Sequence, residues 1–227
     1  MKIISEIGQN HMGDVTYALE ICLSLIKTDI DAITLQVRED DYYKTKTTGL
    51  TIEEYDILYN TFSSLTDKKF GLAVCEEWHV DTLKADFWKI LSKDYKNDGL
   101  ILKAINSGKV VYISTSYMSN DDLKKYEQYP NVQFIHTNLT PDINKVNLKA
   151  IKNMKDLTGK KVGFGLHCSD SNVVFTSLAF EPDSLFFYVG EKEYDLPDKI
   201  HAIQLQYVSS YLITINDLLK SIGDGNK

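Results

Sequence analysis

Apolar and polar positions alternate along this chain between two textures. Short runs rich in Val, Ile, Phe and Tyr occupy residues 2–8, 31–37, 70–76, 87–92, 110–115, 132–137, 161–166 and 184–190. Between them lie stretches whose apolar residues recur every three or four positions, at 15–27, 51–65, 97–108, 120–129 and 147–157. Compact apolar runs predict buried strands, and the three-to-four repeat predicts helices with one buried face. Capping residues stand where the helices should begin, Thr51 before IEEY and Ser119 before NDDL, and Gly108 marks a stop. The last apolar repeat, 203–222, reads as a closing amphipathic helix, and residues 223–227 as a short disordered tail.

Eight strands alternating with helices predict parallel βαβ units. The expected fold is α/β, a closed (β/α)8 TIM barrel in a single domain over residues 1–222. An open doubly wound sheet fits the same alternation, but eight is the number of units that closes. Catalytic groups of such barrels sit at the C-terminal strand ends and in the loops that follow.

That rule turns attention to EIGQNHMGD, residues 6–14, the polar stretch directly after the first strand. It reads as the first wall of a site or as a solvated, Asx-rich turn. The other strand ends supply Thr34, Gln36 and Arg38; Cys75 and Glu76; Lys89, Ser92 and Asp94; Ser114 and Thr115; His136 and Asn138; and His167. His136 and His167 end consecutive strands, which lie about 4.8 Å apart. At matched heights they would share an open divalent metal site completed by water and substrate. Hydrogen bonding of each within the rim is the alternative. Lys89 closes an apolar run, and a lysine aimed into a barrel needs an anionic partner, such as a phosphate or carboxylate; otherwise it points outward. His79 and His201 read as surface groups at helix starts.

Composition narrows the function classes. The formal net charge is -7 and the basic residues are scattered, which argues against nucleic acid. No run approaches the roughly 20 apolar residues that span a bilayer, and the start does not read as a signal peptide. Three cysteines in an odd count suit a reducing cytoplasm.

Taken together, the motifs resemble the sialic acid (N-acetylneuraminate) synthase family. EIGQNHMGD is similar to its EIGxNHNG opening, DAITLQ to ADAVKFQ, DFWKILS to DFxKIxS, and GKVVYISTSYMS to GKPVILSTGMS. FIHTN is similar to LHCTN, VNLKAI to VNLxxI and VGFGLHC to VGYSDHT, so the resemblance runs from residue 3 to about 200. It implies a condensation of phosphoenolpyruvate with a sugar aldehyde of the N-acetylmannosamine type, giving a nonulosonic acid. It also implies a divalent metal (Mn2+ or Mg2+) on His136 and His167. Lys89, Ser92, Ser114 and Asn138 would hold phosphoenolpyruvate, Glu6 would face metal-bound water and substrate, and Asp94 would stand near the family's usual Glu. Asn10, Gln36 and Arg38 complete the expected substrate contacts, Arg38 as the replacement for a lysine that is Thr34 here.

The departures are specific. SDHT has become GLHC, placing Gly165 and Leu166 at the serine and aspartate, and a PDHK-like motif keeps Pro197 and Asp198 but has Lys199 for its histidine. No counterpart of the family's C-terminal antifreeze-like domain is recognisable, which leaves the oligomeric state open, with a homo-oligomer or a separate partner chain as candidate sources of acyl-sugar specificity. Two other readings stay open: a metal-dependent lyase or aldolase acting on another small anion, and a non-catalytic barrel that binds a partner protein.

Overall fold

The computed structural model of the chain describes residues 1–46, 48–191 and 194–223. The strands are β1 (Lys2–Gly8), β2 (Ala32–Gln36), β3 (Lys69–Val74), β4 (Phe87–Ile90), β5 (Val110–Ser114), β6 (Val132–His136), β7 (Val162–Gly165), β8 (Ser184–Gly190) and β9 (Ile203–Gln204). The helices are α1 (Val15–Ile26), α2 (Asp40–Tyr43), α3 (Ile52–Leu65), α4 (Glu77–Thr82), α5 (Asp98–Asn106), α6 (Asn120–Tyr126), α7 (Ala150–Thr158), α8 (Val173–Ser177) and α9 (Val208–Ile222). Strands β1 to β8 pair in chain order, all parallel, and β8 returns to β1 with Ile4 opposite Phe186 and Glu6 opposite Tyr188. The sheet therefore closes into the expected (β/α)8 barrel.

Local chemistry sets the helix boundaries. Asp14 accepts the amides of Thr16 and Tyr17 at the start of α1, and Thr51 and Glu54 form a capping box on α3. Gly159, at φ +65°, ends α7 in the left-handed conformation that glycine adopts without penalty. The closing helix is shorter than expected. Ile203 and Gln204 extend beside the end of β8, Ile203 opposite Val189, and α9 starts only at Val208. Residues 224–227, most of the expected tail, lie outside the described residues. No helix among the described residues is long and apolar enough to cross a membrane.

Each strand presents one face to the surrounding helices and one to the barrel interior. The helix-facing side forms the main core, with Ile33, Phe70, Trp88, Ile113, Phe134, Phe164 and Phe187 buried in it. The inner cluster is small and apolar: Ile4, Ala32, Phe87, Tyr112, Ile135 and Phe186. One step of two residues toward the C-terminal end, the inward positions turn polar. They are Glu6 after Ile4, Thr34 after Ala32, Lys89 after Phe87, Ser114 after Tyr112, Thr137 after Ile135 and Tyr188 after Phe186. This step builds the mouth.

Candidate active site

Lys89 and Glu6 meet inside the barrel as an ion pair, their side chains only 5% and 3% exposed. The pair links β4 to β1 across the interior. The anion that a buried lysine requires is thus supplied by the chain itself. The Lys89 ammonium also lies 5.3 Å from the Phe186 ring centroid and 5.9 Å from that of Tyr188. Tyr188 bonds to Glu6, and its phenol is pushed well above the usual range by burial and by that carboxylate.

Above the pair opens a cavity of about 320 Å3, whose walls include Gln36, Arg38, Lys89, Ser92, Ser114 and His167. Six residues expected from the sequence therefore line it, and Glu6 lies at its floor through Lys89. Arg38 is the chain's only arginine. It is held bidentately by Glu39, at 2.9 and 3.0 Å, and stacks on Tyr42 at 4.0 Å. Lys93, also in the wall, pairs with Asp94 at 2.8 Å and Glu39 at 3.4 Å. Asp94 sits in the tight turn Ser92–Asp94, and burial raises its carboxyl. Ser92 accepts the amide of Ser116 at 3.4 Å, tying the loops after β4 and β5 together.

Asn10 acts behind the cavity. Its amide donates to Val189 O at 2.8 Å, and its oxygen accepts the Asp198 amide at 3.1 Å. His11 folds back on its own loop, Nδ1 accepting the Gly13 amide at 3.2 Å. Burial lowers its pKa to about 4. Gly8 has φ +56°, and a Cβ there would lie 2.6 Å from the Tyr188 ring. The polar opening stretch is thus a turn that must be both tight and bare.

The expected histidine pair does not form. Ile135 belongs to the inner cluster, so its neighbour His136 points the other way, into the helix-facing core. There His136 Nε2 donates to Val146 O at 2.8 Å, and its ring lies 6.4 Å from Phe164. His167 faces the mouth. A cation between the two would need ligands on opposite faces of one sheet, so these residues do not fit one. Among the described residues no group of three or more His, Cys, Asp or Glu side chains is placed to hold a metal ion. Asn138 is likewise turned away from the mouth: its amide donates to the carbonyls of Lys145 and Val146 in the connection to α7.

Of two residues taken as surface groups, His79 is buried and His201 is half-buried. His79 is enclosed at the start of α4, where Nδ1 accepts the amides of Cys75 and Glu76 at 3.4 and 3.3 Å. His201 packs against His167 at 4.8 Å and Tyr188 at 4.9 Å between ring centroids. Its Nε2 is 3.7 Å from Asp198 Oδ1. Burial lowers the His201 pKa to about 4 and drives His167 well below its usual value. Burial and the nearby Glu6 carboxylate raise Asp198 to about 7. The surviving Pro197-Asp198 motif was the one sequence signal pointing to this corner; nothing in the sequence placed His201 in it.

A family model described as the NeuB family matches residues 26–227. Among solved structures, the fold is similar to an N-acetylneuraminic acid synthetase from Leptospira borgpetersenii, with TM-score 0.90, 18% identity, and 99% of this chain and 85% of that chain covered. It is also similar to a putative spore coat polysaccharide biosynthesis protein E from Chromobacterium violaceum, with TM-score 0.88, 19% identity, and 100% and 77% covered. A phospho-2-dehydro-3-deoxyheptonate aldolase from Thermotoga maritima gives TM-score 0.79 at 12% identity, with 98% and 70% covered. At these identities the likeness is one of fold. A search of curated proteins finds no match.

Proposed function

The chain belongs to the NeuB family, and from that premise we propose that it is a sialic acid synthase-like enzyme. It condenses phosphoenolpyruvate with the aldehyde of an open-chain sugar of the N-acetylmannosamine type, giving a nonulosonic acid. The observation that carries the reading is the buried Lys89–Glu6 pair under a cavity walled by Ser92, Ser114, Gln36 and Arg38. A desolvated ammonium beside hydroxyls holds a phosphate or carboxylate by charge-assisted hydrogen bonds. Carbon 3 of phosphoenolpyruvate attacks the aldehyde carbon, water adds at carbon 2, and phosphate leaves with cleavage of the carbon–oxygen bond. The chain's contribution is chiefly to hold the two reactants in register. In this role Lys89 exchanges Glu6 for the substrate anion, and Glu6 turns to the incoming water or sugar hydroxyl. No step is routed through a cation, because the mouth offers a single imidazole of the expected pair. The reading places the protein in the cytoplasm, where the free thiols Cys22, Cys75 and Cys168 stay reduced.

One observation favours a second reading. Each cation in the cavity wall already has a carboxylate partner: Lys89 with Glu6, Arg38 with Glu39, Lys93 with Asp94. A smaller, singly charged anion displaces fewer of these pairs than phosphoenolpyruvate does, which favours a lyase or aldolase acting on such an anion. Phosphate release from phosphoenolpyruvate, with and without N-acetylmannosamine, separates the two. Release that depends on both compounds supports the synthase. Binding of pyruvate without any binding of phosphoenolpyruvate supports the second reading.

A further inference from the structure

Asp198 and His201 stand on the segment that follows β8, and the resemblance assigns neither a role. The segment is anchored from the far end of the chain by Asn10, which takes the Asp198 amide on one side and Val189 O on the other. Gly8 leaves room for the carboxyl: a Cβ at that position would lie 3.0 Å from Asp198 Oδ2. Asp198 thereby lines the cavity with Lys89, Ser114, His167 and Tyr188. His201 lies at 3.7 Å from its Oδ1, and both ring nitrogens of His201 are buried without a hydrogen-bond partner among the described residues. Where the resemblance expects an imidazole from β6 to help hold the metal that polarises the aldehyde, the inward side chains are Ile135 and Thr137.

We propose that Asp198, held in place by Asn10 through its backbone amide and flanked by His201, is the acid–base residue of this mouth. The inference rests on the synthase reading above. As carbon 3 of phosphoenolpyruvate bonds to the aldehyde carbon, the Asp198 carboxyl gives its proton to the aldehyde oxygen, which becomes a hydroxyl. The resulting carboxylate takes a proton from the water that adds at carbon 2. The carbon 2 hydroxyl then collapses to the ketone, phosphate leaves with the bonding electron pair, and its oxygen takes the hydroxyl proton. Asp198 ends the cycle protonated, so atoms and charges balance.

The groups facing Asp198 are Glu6 from β1, Lys89 from β4 and His201 on its own segment. Tyr188 from β8 and His167 after β7 pack against that imidazole. Burial and Glu6 hold the carboxyl at about 7, against the weaker pull of Lys89. A group with that value both gives and takes a proton near neutrality. His201 packs beside Asp198 without hydrogen-bonding to it, and burial, which lowers its pKa to about 4, keeps it neutral near pH 7.

The test measures phosphate release from phosphoenolpyruvate and N-acetylmannosamine over roughly pH 5 to 9, in EDTA and in Mn2+, for the wild type, Asp198→Asn and His201→Gln. Calorimetry of phosphoenolpyruvate binding runs alongside. The wild type is expected to keep its activity in EDTA, with a limb of kcat/KM near 7. Asp198→Asn should lose about 100-fold or more in kcat while binding phosphoenolpyruvate as before. His201→Gln should move the limb. Activity lost in EDTA and restored by Mn2+ overturns the proposal, as does unchanged turnover in Asp198→Asn. Absence of phosphate release by the wild type in every condition overturns the synthase reading itself and the proposal with it.

Discussion

At the N-terminal end of the barrel a bowl of about 590 Å3 is lined by Ile4, Phe87, Val110 and Tyr112; at the C-terminal end a cavity of about 320 Å3 is lined by Lys89, Ser114, His167, Tyr188 and Asp198. The larger opening carries less chemistry. Its carboxylates are tied to strand starts: Asp31, Asp86 and Asp183 accept the amides of Ile3, Phe70 and Val162. Lys2 pairs with Asp31 in water, and Lys155 pairs with Asp183. At the smaller opening the Lys89–Glu6 pair is buried, and Lys89 faces the void. Desolvated charge is costly to fold around, and so marks a site better than volume does.

The largest expected effect breaks the upper end alone. Lys89→Ala leaves Glu6 buried and unpaired and should cost about 3–5 kcal/mol in urea unfolding. Removing both charges together, as Lys89→Met/Glu6→Gln, should recover most of that stability while abolishing phosphoenolpyruvate binding. An equal loss in both variants would mean the pair is not the reason.

Acidity separates the ends next. Asp198 binds its proton more tightly folded than unfolded. Its contribution is therefore fully present below pH 3.8 and is lost as pH rises to about 7. His11 and His201, lowered to about 4, contribute in the opposite sense: stability is gained as pH rises from there to 6.5. The difference between wild type and Asp198→Asn isolates the carboxyl. It should shrink by on the order of 4 kcal/mol across that window and stay level above it; a flat difference would contradict the raised value.

Glycines sharpen the comparison further. Gly71→Ala, at the lower end, places a Cβ 2.2 Å from the Phe87 ring, and Gly8→Ala, at the upper end, places one 2.6 Å from Tyr188. Each should cost roughly 1–3 kcal/mol by overpacking or strain. Only Gly8→Ala should also weaken turnover, because it displaces Tyr188 and Asp198. The smallest effect is Lys2→Ala, whose exposed pair should be worth under about 1 kcal/mol in thermal unfolding.

The barrel was legible because its signal repeats. Each strand run and each helix repeat is local, and closure follows from their number. The mouth was legible in part. Glu6, Lys89, Ser114 and His167 stand at strand ends, but the sequence left open whether Lys89 turns inward, which the buried pair with Glu6 decides. Two things needed the fold. In β6 both faces are apolar, Phe134 outward and Ile135 inward, so no alternation told which way His136 would turn. A phase error of one residue moves a side chain through the sheet. His201 lies in an irregular segment with no periodicity to read, and only the return of the chain over β8 brings it to His167.

The most direct test of the mouth as an anion site is calorimetric titration of phosphoenolpyruvate into the wild type and into Lys89→Met/Glu6→Gln. The account predicts micromolar to low-millimolar binding by the wild type and none by the double variant. Equal binding by both, or none by the wild type, would contradict it.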